Sequence, residues 1–171
     1  MNGVFNGCNS LINLNVSNFS TDKVVYMGSM FSCCESLNYL NLFSFNTSNV
    51  IDLNHMFFNC VSLKELDLSN FNTKKVTDMN VMFLNCKEMK VLNVSKFNTN
   101  NVNNISNMFN NCSSLVKLDL YNFNINKTAN MENMLKNCIS LKELKVKNIH
   151  DFKRKNYNIY SDISKDVKII N

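Results

Sequence analysis

Apolar and polar positions along the chain recur with a period of 26 residues. Cys8, Cys34, Cys60, Cys86, Cys112 and Cys138 mark it without insertion or deletion. Three residues before each cysteine stand Phe5, Phe31, Phe57, Phe83, Phe109 and then Leu135; four before stand Val4, Met30, Met56, Met82, Met108 and Met134. After the cysteine, leucine, methionine or valine fills the third, sixth and eighth positions, and Phe19, Phe45, Phe71, Phe97 and Phe123 follow at the eleventh. A period between about 20 and 50 residues marks a solenoid, propeller or array.

The spacing changes character within each repeat. From the valine column (Val24, Val50, Val76, Val102) to the cysteine the apolar steps are 3, 3, 1 and 3, which predicts a short helix near 49–58, 75–84, 101–110 and 127–136. Thr21, Thr47, Thr73 and Thr99 precede these segments and offer N-cap chemistry. Asn59, Asn85, Asn111 and Asn137 fall where a helix needs a left-handed stop. Beyond the cysteine the sixth and eighth positions alternate with polar residues, the mark of a short strand. Strands one repeat apart become parallel neighbours about 4.8 Å apart on stacking. The predicted fold class is therefore α/β, a solenoid with one short parallel strand and one short helix per 26-residue coil.

The solenoid occupies residues 1–147. A partial first repeat, 1–17, is followed by complete ones at 18–43, 44–69, 70–95, 96–121 and 122–147. A single repeat cannot bury its own apolar face, so stability has to come from stacking. Met1 stands in the column of Met27 and Met79, so the chain begins inside a repeat, as a fragment of a longer array would. The uncapped first edge is expected to associate end to end. Residues 148–171 read as a degenerate, charged cap: Tyr157 and Tyr160 fall in the methionine columns, Ser164 in the cysteine place, Val167 and Ile170 in two leucine columns.

Charge sharpens this picture. Residues 1–144 carry 11 basic and 10 acidic side chains and 145–171 carry 7 and 3, so the net +5 sits almost wholly in the tail. A nearly neutral repeat body argues against a nucleic-acid groove. No apolar run approaches the ~20 residues of a membrane span, and no export leader follows Met1. Abundant asparagine is read in part as base composition of the gene.

The chemistry-bearing residues point away from catalysis. A cysteine column runs along an axis and does not converge as ligands of a zinc ion must, so buried, reduced, small apolar thiols are expected and no metal or cofactor. Cys33, off the column, is expected to be incidental. His55 and His150 have neither nucleophile nor carboxylate at a telling spacing. The threonine and asparagine columns are expected to satisfy turn backbones between coils. What varies is the outward face of the strands, at positions 4, 5, 7 and 9 after each cysteine. It makes Tyr39, Phe43, Lys64, Glu65, Asp67, Lys117, Asp119 and Tyr121 the candidate partner-binding residues. Exposed aromatic residues are favoured at interfaces.

The run L-K-E-L-D-L-S-N-F-N-T-K-K-V-T-D-M-N-V-M-F-L-N-C at 63–86 resembles the signature of the BspA-like leucine-rich-repeat surface proteins, of the roughly 25-residue variety noted in mycoplasma lipoproteins. The resemblance spans about 1–147. It implies an α/β leucine-rich-repeat solenoid and a bacterial surface or secreted protein whose role is adhesion or binding of a protein or other macromolecule, and it carries over no catalytic residue. The alternative, favoured by the free thiols and the absence of a leader, is an intracellular scaffold or structural spacer.

Overall fold

The computed structural model describes residues 1–124, 129–154 and 157–171. The 26-residue period closes one coil of a parallel β-solenoid. Each coil contributes one strand: β1 (Asn13–Leu14), β2 (Tyr39–Leu40), β3 (Glu65–Asp67), β4 (Val91–Asn93), β5 (Lys117–Leu120) and β6 (Glu143–Val146). Pairing is parallel and in the expected register, with Asn13 opposite Tyr39, Glu65 opposite Val91, and Lys117 opposite Glu143. On the far side of the coils, single-residue parallel bridges join Tyr26, Asp52, Asp78, Asn104 and Asn130 in turn. The core runs between these two walls. Leu66, Leu68, Met56, Phe57 and Cys60 in one coil, with their counterparts in the next, are almost wholly excluded from solvent.

The predicted helices do not form. The segments 49–58, 75–84, 101–110 and the described part of 127–136 are chains of turns; positions 127 and 128 lie outside the described residues. Backbone geometry gives the reason. In the third coil the amides of Leu53, His55, Phe57 and Asn59 donate forward to the carbonyls of Asp78, Asn80, Met82 and Leu84 at 2.8–3.1 Å. The intervening amides of Met56, Phe58 and Cys60 close three-residue turns onto Leu53, His55 and Phe57. An α-helix would bond its interior amides four residues back within the segment and leave nothing to bind coil to coil.

Two left-handed residues per coil make the alternation possible. The column before the cysteine holds Gly7, Cys33, Asn59, Asn85, Asn111 and Asn137, and the column five before holds Gly3, Ser29, His55, Val81, Asn107 and Asn133, all at positive φ. The asparagine stops anticipated from sequence therefore adopt the expected conformation, but they end turns and not helices. Cys33 is not incidental in backbone terms, since it fills the asparagine place.

The columns that looked like helix caps join one coil to the next. The Thr47 hydroxyl donates to the Asn72 carbonyl at 3.2 Å and accepts from the Asn72 amide at 2.8 Å. Thr21 and Thr73 bridge to Asn46 and Asn98 in the same way. All four of Thr21, Thr47, Thr73 and Thr99 are buried. Asparagine and aspartate side chains hold the bends at three places in each of the coils 44–69, 70–95 and 96–121. In each, the side-chain oxygen accepts the amide two residues on: Asp67 from Ser69, Asn72 from Lys74, Asp78 from Asn80. The abundance of asparagine thus has a structural cause, which composition alone did not disclose.

The C-terminal segment closes the stack. A 3-10 turn at Ile149–Phe152 leads into a small antiparallel pair, β7 (Lys153–Arg154) with β8 (Tyr157–Asn158), and β9 (Lys168–Ile170) then lies parallel against β6. Val167 is buried in its leucine column, as expected. The second leucine place is taken by Ile169, opposite Leu144, and not by Ile170, so the register slips by one residue here. Ser164 is exposed, and the side chains of Tyr157 and Tyr160 lie outside the described residues. The Asp162 carboxylate accepts the Leu135 amide at 3.2 Å, a place that a backbone carbonyl fills lower in the stack.

Candidate recognition face

Strand alternation turns Leu40, Leu66, Leu92, Leu118 and Leu144 inward and leaves their neighbours on an outward ribbon. The eight candidate residues all lie on or beside that ribbon, but the structure divides them. Toward the N-terminal end, Tyr39 is 54% exposed, Phe43 81% and Val91 60%. Among the described residues neither the Tyr39 nor the Phe43 ring has a stacking partner. Phe43 is held out by its backbone: its amide donates to Asn41 Oδ1 at 2.9 Å, which tightens the turn after β2.

Two shallow grooves flank this pair of rings. One, of about 660 Å³, runs over Asn13, Asn15, Ser17 and Ser44. The other, of about 540 Å³, runs over Asn41, Glu65, Asp67, Ser69, Asn70 and Asn93. Within it the Ser69 amide and the Asn93 side chain both donate to Asp67 at 2.9 Å. These bonds, the Ser69 amide first, hold the Asp67 carboxyl below the usual carboxylate range. Lys64 is exposed at the start of β3, next to Glu65.

Toward the C-terminal end the ribbon is satisfied by itself. Lys117 pairs with Glu143 at 3.3 Å and Lys145 with Asp119 at 3.2 Å. The Lys145 ammonium also lies 5.2 Å from the centre of the Tyr121 ring. Lys117, Asp119 and Tyr121 thus have partners one coil away. Sequence reasoning missed this, although residues 26 apart in a 26-residue coil must be neighbours.

The remaining chemistry is structural. Cys8, in the first coil, is exposed and not buried as expected. From Cys34 on, each ladder thiol donates to the carbonyl of the phenylalanine in the preceding coil, as Cys60 does to Phe31 at 3.1 Å, Cys86 to Phe57 at 3.2 Å and Cys138 to Phe109 at 3.1 Å. Burial pushes the thiols up, to about 11 for Cys34 and about 12 for Cys138, so they remain protonated donors. They are hydrogen-bonding groups as well as small apolar ones. Beside them Phe5, Phe31, Phe57, Phe83 and Phe109 stack with centroids 5.5–5.6 Å apart. His55 touches Asn54 and packs edge-on to Phe58, while His150 lies beyond the last coil. Among the described residues, no three His, Cys, Asp or Glu side chains are placed to hold a metal ion, and no helix is long and apolar enough to cross a membrane.

A solenoid of near-identical coils with one variable, solvent-facing ribbon is the architecture of a repeat protein. The chain matches the profile of a family described as Mycoplasma protein of unknown function, DUF285, over residues 1–91 and again over 58–168. It belongs to that family. No curated protein and no solved structure matches it.

Proposed function

We propose that this chain is a non-enzymatic recognition module that binds a macromolecular partner through the N-terminal half of its outward strand face. The observation that carries the reading is the pair Tyr39 and Phe43, two large rings standing in solvent beside two grooves; of the other exposed rings among the described residues, Tyr26 lies on the opposite wall and Tyr121 lies under Lys145. Large exposed aromatic side chains are favoured at binding surfaces. The titratable groups support a non-catalytic role, because the ladder thiols are held as protonated donors and the two histidines stand at opposite ends of three coils.

The resemblance to BspA-like leucine-rich-repeat proteins supports display at a bacterial surface or secretion, with adhesion as the role. Protease treatment of intact producing cells tests the location: early loss of the chain agrees with it, and survival until lysis removes the surface claim. Association at the first coil belongs to the same proposal. The carbonyls of Asn2, Val4 and Asn6 occupy the places where Gly28, Met30 and Ser32 accept the amides of Gly3, Phe5 and Gly7. Sedimentation over a concentration series tests it, and a concentration-independent monomer would contradict it.

A further inference from the structure

We infer that the ligand of this face is a neutral, extended glycan lying along the solenoid axis. The inference rests on the reading of the face given above and names the ligand class.

Area argues first. From β1 to β4 the ribbon spans four strands about 4.8 Å apart and some five residues of about 3.3 Å each, roughly 15 by 17 Å. That is roughly a third of the ~800 Å² that each partner contributes to a standard protein interface. A globular partner seated here would lack contact, whereas a narrow chain would not.

Backbone pairing argues next. The hydrogen bonds of the strands run between coils and not out of the face. An extended peptide laid across it would find none of the main-chain partners that strand addition requires. Recognition has to be by side chains.

Those side chains have the chemistry of a sugar site. Sugar rings carry apolar C–H faces that stack on aromatic rings, and their hydroxyl groups pair with planar amides and carboxylates. Tyr39 and Phe43 supply the rings. Asn15 and Asn41 line the first groove, and their Oδ1 atoms accept the amides of Ser17 and Phe43, so each side chain is fixed in place by its own turn. Asp67, kept ionised by Ser69 and Asn93, supplies an acceptor. Glu65 and Asp67 in one groove disfavour sulfated or phosphorylated chains, so the glycan is neutral. A chain laid along the axis follows the column Asn15, Asn41, Asp67 and Asn93, one residue per coil step of about 4.8 Å, with Tyr39 on one side of Asn41 and Phe43 on the other.

The test uses neutral oligosaccharides of two, four and six pyranose units, in β- and α-linked gluco and N-acetylglucosamine series, titrated into the full chain by calorimetry. The expected result is binding by at least one series, strengthening from two units to four and then levelling off. Phe43→Ala should weaken it by about tenfold or more, as loss of a central ring contact does, and Tyr121→Ala should leave it unchanged. Failure of every series to bind overturns the glycan assignment. So does Phe43-dependent binding of a proline-rich peptide that no sugar displaces, although that result keeps the face as the recognition surface. A glycan held equally well by the Tyr39→Ala/Phe43→Ala chain overturns both.

Discussion

The two halves of the outward ribbon are built on the same backbone and differ in what their side chains do. In the C-terminal half, Lys117, Asp119, Tyr121, Glu143 and Lys145 contact one another across coils. In the N-terminal half, Tyr39, Phe43 and Val91 stand out into solvent. The scaffold beneath is identical, so the difference is not a requirement of the fold. It shows that the coil is held by its inward columns and its turns, and that the strand face is free to carry either self-satisfied charge or exposed aromatic surface. Exposed ion pairs contribute only about 0–1 kcal/mol each, so even the paired half adds little to stability.

That division can be broken from the scaffold side. Thr73→Val keeps shape and removes the hydroxyl that bridges the amide and carbonyl of Asn98. The cost should be about 2 kcal/mol, read as a fall of roughly 4–8 °C in the unfolding midpoint. A variant as stable as the parent would mean that the turn columns do not join the coils.

A smaller effect of opposite sign is expected at Val81, a β-branched residue at φ 60 in a column where Asn107 and Asn133 also stand. Val81→Asn relieves a left-handed strain of roughly 1–2 kcal/mol and should raise the denaturant midpoint without changing the slope.

The smallest effect is expected at Asp52, whose carboxyl is pushed up by burial and by neighbouring Asp78. A raised acid pKa means that the folded coil tolerates the charge less well than the unfolded chain. The penalty therefore exists at neutral pH and disappears as pH falls through the folded value toward the ordinary ~4. Asp52→Asn preserves the bend, as Asn104 and Asn130 do in the same column. It should stabilise at neutral pH and lose that advantage in acid, measured by thermal unfolding across pH.

Much of this architecture was legible in the residues. Column spacing gave the period, the strand register and the inward positions, because a strict repeat allows only one alignment of each side chain with its copies. The helices were misread because steps of 3, 3, 1 and 3 suit a helix and a run of three-residue turns equally. The feature that separates them, a second left-handed column, is written as Gly3, Ser29, His55, Val81, Asn107 and Asn133, which has no common chemistry. The thiol hydrogen bonds were hidden for a similar reason, since a buried cysteine reads as apolar until a carbonyl is seen beside it. The candidate face was legible as a whole and only half legible in detail. Tyr39 and Phe43 stand free as expected, while Tyr121 resembles them in sequence and differs because Lys145 lies over it.

The central claim is that Tyr39 and Phe43 are surplus to the fold and are present for recognition. Thermal unfolding of the Tyr39→Ser/Phe43→Ser chain measures this directly. The midpoint is predicted to stay within about 2 °C of the parent, because Phe43 is 81% exposed and Tyr39 54%, so little packing is lost. A fall of about 4 °C or more, equivalent to 1–2 kcal/mol in a chain of this size, would show that the rings hold the coils together, and the recognition face would lose its basis.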